Sequence, residues 1–332
     1  MGLFGKNKKK QTNAEEPVLQ QDHNKEDFAT RPGGIFIVHL LMNKPCKMPE
    51  PEKILSVMEK HVGKVEWCTD DKEEISTAAK YYPISIVAKD HPVEYVDGTI
   101  APPFFQIAEC MEFDEKRVID DLSRTQFWNH KEDYEQILSR CHYNVMATDF
   151  MAGELPAQKR ADLDMDYMEA LVELFPECEA VYFRNSGNLY LAEEIRTHQI
   201  PRENRYVHFA VNVRFFNVQG KEDKVIDTLG MSLLKLPDLQ YHFRPQPSED
   251  DTRQMDPNWV VHHAYNMATY ILKNSPSVNE RFIIKNGETI DGIREGQLAP
   301  DIFWRCQYED ALIQPRRLVL DICMNEYAAG ER

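Results

Sequence analysis

The chain has 332 residues, 42% hydrophobic and 28% charged, the make-up of a globular protein with apolar material enough for a core. Its net charge of −16 repels phosphate backbones, which argues against a nucleic-acid partner and leaves a solvated acidic surface as the plain reading. Seven scattered cysteines without a C-x-x-C pair exclude a disulfide framework and a zinc knuckle, and they point to reduced thiols in the cytoplasm; no apolar run is long enough for an integral membrane segment.

Residues 1–31 are polar and aperiodic and are expected to be disordered. Lys6, Lys8, Lys9 and Lys10 lead this tail without the apolar stretch of a signal peptide. Lys6 also stands where a myristoylation motif needs Ser or Thr. The tail is therefore read as a solubilising segment, with a graze on anionic lipid as the alternative.

IFIVHLLM (Ile35–Met42) reads as a buried strand. Pro49–Gly63 reads as a helix, with Pro51 in its first turn, Ile54, Leu55, Met58 and Val62 on one face, and Gly63 ending it. KVEWC, ISIVA, VEYVD and Phe104–Ala108 follow as strands, then a helix capped by Asp114 and another over His130–Cys141. HYNVMATDF restarts the pattern as a strand. A helix over Ala157–Phe175 buries Leu163, Tyr167, Ala170, Leu171 and Leu174 and leaves Asp162, Asp166, Glu169 and Glu173 on its far side. CEAVYF and LYLA flank Arg184-Asn185-Ser186-Gly187-Asn188, which predicts a hairpin. Val207–Phe215 alternates and predicts a half-buried strand, with His208, Asn212 and Arg214 on its outer face. TLGMSLLKLPDLQYHF then reads as strand, turn, strand, and WVVHHAYNMATYILK as an amphipathic helix. FIIKNGETI is expected to form a hairpin, and DIFWRCQY and RRLVLDICM strands.

This order predicts an α+β fold of two or three ferredoxin-like α/β sandwich units with mainly antiparallel sheets. The expected divisions are a tail at 1–31, an N-terminal unit at 32–141, a second unit at 142–220 and a C-terminal unit at 221–332.

Thr228-Leu229-Gly230 with its hairpin, the helix ending Tyr270-Ile271-Leu272, and the turn Asn286-Gly287-Glu288-Thr289 together resemble the bacterial domain-of-unknown-function family 4261. PISIVAKDHPVEY, the turn Ala101-Pro102-Pro103 and the AVYFRNSGNL hairpin resemble longer members, extending the likeness over most of residues 35–292. These are packing and turn motifs, so the resemblance implies architecture and no reaction. Related domains occur near toxin–immunity systems, which implies a binding role by association.

The candidate chemistry is sparse. His262 and His263 point about 100° apart on a helix and lack an H-E-x-x-H frame, so no metal and no other cofactor is expected. Asp227 and Asp238 flank the TLG hairpin, and Glu249, Asp250 and Asp251 lie in the joint after it; nothing local sets a working separation between carboxylates. Cys141 and His142 are strand neighbours facing opposite ways. Ser186 lacks the G-x-S-x-G frame of a hydrolase elbow. No residue is assigned a catalytic role.

Trp259, His263, Asn266 and Tyr270 recur at i, i+4, i+7 and i+11, opposite the apolar face of their helix. An aromatic and polar stripe of this kind suits a partner contact; the ordinary alternative is that the chain itself covers it. The leading expectation is a non-enzymatic protein-binding or regulatory module, immunity-like by resemblance, whose partner is another protein. The alternatives are a hydrolase using His and carboxylate groups in a cleft, and a peripheral lipid-associated protein led by its lysine-rich start.

Overall fold

A computed structural model of the protein describes residues 34–68, 83–95, 97–218, 222–245, 255–275 and 284–324. The expected tail at 1–31, with its lysines, and the acidic joint at 249–251 lie outside the described residues.

The first apolar run becomes β1 (Ile37–Met42), which lies deep inside a sheet. After it come α1 (Pro51–Val62), β2 (Val65–Trp67), β3 (Ile84–Ala88), a small ribbon of β4 (Val93–Glu94) and β5 (Ile100–Ala101), then β6 (Phe104–Ile107) and β7 (Met111–Glu112). Three short helices follow: α2 (Glu115–Val118), α3 (Asp121–Arg124) and α4 (Tyr134–Arg140). Then come β8 (Tyr143–Phe150), α5 (Ala157–Leu174), β9 (Cys178–Phe183) and β10 (Asn188–Leu191). The sheet order is β10-β9-β1-β8-β6-β3-β2, with β7 also on β8, and every pair is antiparallel. Both long helices connect parallel strands that are not neighbours, β1 to β2 and β8 to β9. That is the split β-α-β connection of a ferredoxin-like sandwich, here widened by extra strands.

Both faces of this sheet are covered. Val38, Leu40 and Met42 belong to the core shared with α1 and α5, where Leu163, Tyr167, Ala170, Leu171 and Leu174 are all buried as their spacing predicts. The Tyr167 ring stacks on Phe105 at 4.0 Å, and its hydroxyl donates to the Gln106 carbonyl at 2.9 Å. On the opposite face Leu41, Ala180, Tyr182 and Leu189 pack against Ile119, Phe127, Ile137, Leu138 and Cys141.

The second sheet is built from β11 (Asn212–Asn217), β12 (Lys224–Leu229), β13 (Asp238–Phe243), β14 (Thr289–Arg294), β15 (Gln297–Asp310) and β16 (Leu318–Cys323). Before it lie α6 (Ala192–Thr197) and α7 (Arg205–Ala210); between β13 and β14 runs α8 (Pro257–Asn274). The order β11-β12-β13-β16-β15-β14 is two meanders joined along β13 and β16, the one parallel pair among otherwise antiparallel neighbours.

The protein is thus α+β with mainly antiparallel sheets, but its units are not those read from the chain order. β1 sits between β8 and β9, so a division at 141/142 cuts hydrogen-bonded neighbours. A division at 220/221 likewise separates β11 from β12. Strand pairing joins segments far apart in sequence, and no local signal reports it. One core cluster runs from Phe36 to Met324 and includes residues of both sheets.

The expected strand over Val207–Phe215 is also corrected. Its first half is the end of α7, because Tyr206, Val207, Phe209 and Ala210 are all buried, at the spacing of a helix face. The strand begins only at Asn212, and its burial does not alternate, since Asn212, Val213 and Arg214 are all buried. The acidic side of α5 is likewise not bare. Arg205 pairs with Asp166 at 2.7 Å and with Glu169, Arg202 pairs with Asp166, and His198 reaches Glu169 at 3.2 Å.

Arg160, on α5, is fully buried where the sheets meet. It donates to the Leu233 carbonyl at 2.6 Å, to the Gly34 carbonyl and, at 2.7 Å, to Asp149 of β8. Asp164, one turn on, is buried 3.7 Å from the Arg160 Nε. Burial first, and the Asp149 charge second, hold the Asp164 carboxyl far above the usual range. Removing the guanidinium strands these carboxyls, so Arg160→Ala is expected to lose roughly 3–5 kcal/mol in urea unfolding. Asp164 retains a proton that the unfolded chain gives up, so its contribution falls as pH rises above about 4. Asp164→Asn stays neutral, and its stability relative to wild type is therefore expected to increase as pH rises above about 4, read as the difference in urea midpoints.

Candidate functional site

The TLG segment forms a hydrogen-bonded knot. β12 ends at Leu229, a 3-10 turn covers Met231–Leu234, and β13 begins at Asp238. Gly230 has φ +136°, and a Cβ there would lie 2.3 Å from the Ala210 carbonyl oxygen, so only glycine fits. Asp238 accepts from Thr228 Oγ1 at 3.2 Å and from the Met231 amide at 3.0 Å; the Leu239 amide donates to Thr228 Oγ1 at 2.8 Å.

The carboxylates Asp227 and Asp238 come together, held by one arginine from far along the chain. Arg317 Nη2 donates to Asp227 at 2.8 Å and Arg317 Nε to Asp238 at 3.0 Å. Arg214 adds a two-pronged pair on Asp227, at 2.9 and 2.6 Å. Both carboxylates are fully buried. Arg214 and Arg317 also donate to carbonyls of residues 313–315, which ties the β15–β16 connection across the site. This is a structural network: each carboxylate already faces a fixed cation.

Helix α8 packs on β12 and β13. Val260, Ala264, Ala268, Ile271 and Leu272 are buried as the wheel predicts. The aromatic stripe divides. His263 is only 3% exposed, so it is not available as a partner contact. Its Nδ1 meets the Tyr241 hydroxyl at 2.8 Å, its Nε2 meets the Asp291 carbonyl at 3.3 Å, and its ring packs edge-on to Trp304. The carbonyl can only accept, so Nε2 carries the proton and Nδ1 takes the tyrosine hydrogen. Trp259 is half-buried. The turn at Glu295-Gly296, with φ of +50° and +79°, lies against it, and a Cβ on Gly296 would sit 2.9 Å from Trp259 Cδ1. The β14–β15 hairpin therefore covers the start of the stripe. Asn266 and Tyr270 emerge beyond it, Tyr270 at 50% exposure.

That hairpin is the element the sequence reading missed. Its signal was present as Arg294-Glu295-Gly296-Gln297, a two-residue turn with both central residues at positive φ. It carries Leu298 and Phe303 at 66% and 64% exposure.

The family described as a domain of unknown function, DUF4261, matches residues 227–323. The chain carries a DUF4261 domain. No curated protein and no solved structure matches the chain. The matched span begins at Asp227, ends at Cys323 and encloses the TLG knot, α8, the β14–β15 hairpin and Arg317.

Among the described residues, histidine and carboxylate meet in three separate places. His61 and His198 share Glu169, His130 lies between Asp133 and Glu194, and His242 Nε2 stands 3.3 Å from Asp223. In the DUF4261 domain His242 is in register with Cys323 on the parallel pair β13–β16. Cys141 is buried and His142 exposed, facing apart as expected. Asn212 and Arg214 are buried and His208 is exposed, so they line no common groove. Among the described residues, no group of three or more His, Cys, Asp or Glu is placed to hold a metal ion, and no helix is long and apolar enough to cross a membrane.

Burial holds the His263 imidazole down at about 4. A depressed folded value means that its contribution is full above the unfolded value of about 6.5 and lost as pH falls toward 4. The His263 ring is expected to stay neutral to about pH 4 by NMR titration. Asp238→Ala leaves Arg317 half-paired and two donors unanswered; a loss of roughly 3–5 kcal/mol is expected by chemical denaturation.

Proposed function

We propose that the protein is a non-enzymatic protein-binding or regulatory module that contacts another protein through its DUF4261 domain. The supporting observation is the β14–β15 arm. It exposes Leu298 and Phe303, and β14 is the outer strand of its sheet among the described residues. Exposed apolar side chains beside an open strand edge suit a partner that adds an extended segment along β14. Asn266 and Tyr270 of the original stripe remain as exposed flanking contacts on α8. The acidic net charge favours a partner whose contacting segment is basic.

The groups that suggested chemistry fit this reading. Asp227, Asp238 and His263 are engaged inside the fold. The test is affinity purification from the native host, comparing wild type with a Tyr270→Ala, Phe303→Asp variant of unchanged circular dichroism and with a Trp128→Ala control. A partner that wild type and control retain and the double variant loses at least about tenfold is expected. Equal retention by all three would sink the proposal.

A hydrolase reading keeps one observation. Cys323 and His242 are register partners on β16 and β13, and Asp223, just before β12, reaches His242; thiol, imidazole and carboxylate are the chemistry of acyl transfer. All three are buried, which disfavours substrate access. Iodoacetamide labelling of the native protein separates the readings: exposed Cys68 is expected to react first, whereas fast labelling of Cys323 that His242→Ala abolishes would favour the enzyme.

A further inference from the structure

Of the seven cysteines, Cys141, Cys178, Cys306 and Cys323 are buried, Cys68 is exposed, and Cys46 and Cys110 are half-buried. Those last two are 64 residues apart in sequence and adjacent in space: Cys110 Sγ lies 3.4 Å from the Cys46 amide nitrogen. The nearby Cys110 side chain also helps to raise the Cys46 thiol. Cys46 is in the connection between β1 and α1; Cys110 is in the connection between β6 and β7.

Both connections are pinned close to these residues. Ala108 donates its amide to the Met146 carbonyl at 2.8 Å, and Met111 pairs with Asn144, so β8 holds the strands on either side of Cys110. Met42, four residues before Cys46, accepts from the His142 amide at 2.9 Å at the start of the same β8. The fold therefore holds two solvent-reachable thiols together without a bond between them. A bridge needs Cα atoms within roughly 4.4–6.8 Å. The Cys110 sulfur, 3.4 Å from the Cys46 backbone nitrogen, brings the two residues near that range, with a rotation of the Cys46 side chain toward Cys110 left to make.

We propose that Cys46 and Cys110 are a reversible thiol–disulfide modification site, oxidised by a low-molecular-weight disulfide such as oxidised glutathione. Burial first, and the Cys110 hydrogen bond second, push the Cys46 thiol up to about 12, so the first attack falls to Cys110. The Cys110 thiolate bonds to one sulfur of oxidised glutathione and expels one glutathione thiolate. Cys46 then gives its proton to water, bonds to Cys110 Sγ and expels the second glutathione thiolate. The two cysteines are oxidised, and one glutathione disulfide is reduced to two thiols. Dithiothreitol reverses the sequence. The bridge would tie the β1–α1 connection to the β6–β7 connection across the end of β8. It is independent of the proposed partner contact on the DUF4261 domain.

The test uses the native full chain incubated with oxidised glutathione, alkylated, and mapped by mass spectrometry. The expected result is a linked Cys46–Cys110 peptide that dithiothreitol releases, with Cys68 carrying a separate glutathione adduct. In Cys110→Ser the linked peptide is expected to vanish. The proposal is overturned if Cys46 and Cys110 each carry their own glutathione, or if both remain alkylatable while Cys68 is modified. The wild-type map decides the matter even if the serine variant does not fold.

Discussion

The buried guanidinium of Arg160 is the contact on which the arrangement of the two sheets turns. It answers a carbonyl ahead of β1, a carboxylate on β8 and a carbonyl in the TLG turn of the second sheet. A charge this deep is tolerated only when its hydrogen bonds are met in the right directions. The planar fork of arginine does this, and lysine would not. The same device recurs in the DUF4261 domain, where Arg317 and Arg214 gather Asp227 and Asp238. Each sheet thus has an arginine-centred joint that draws distant segments to one place.

These joints give the family signature residues a structural role. Thr228, Gly230 and Asp238 are the parts of a tight crossing between β12 and β13, and Arg317 closes it from the last connection. The glycine is there because the backbone of Ala210 passes too close for a side chain. The aspartate is there because a hydroxyl, an amide and a guanidinium converge on it. Signature residues of this kind hold α8 against its sheet. Leu298 and Phe303 on the hairpin arm and Tyr270 on α8 stay exposed.

The stripe on α8 was half legible. Helical spacing grouped Trp259, His263, Asn266 and Tyr270 apart from the apolar face. It could not say that a hairpin formed by residues 289–310 would fold over the first two. The result is one helix side with two fates: His263 sealed in by Tyr241, Asp291 and Trp304, and Tyr270 left in solvent. The Cys46–Cys110 pair was not legible at all, because spacing in sequence says nothing about two loops meeting at the end of β8.

Period and punctuation alone determined the local elements: the buried side of α5, the end of α1 at Gly63, the Arg184–Asn188 hairpin and the α+β class. Such features depend on contacts within a few residues, where backbone geometry leaves few choices. The tertiary structure decided which strands became neighbours, and so placed β1 between β8 and β9 and joined β13 to β16. It also turned Val207–Ala210 from an alternating run into a helix, because burial against α5 and Tyr190 outweighed a weak local pattern. Strand pairing and burial are long-range events, and their energies are settled only when distant parts of the chain are in contact.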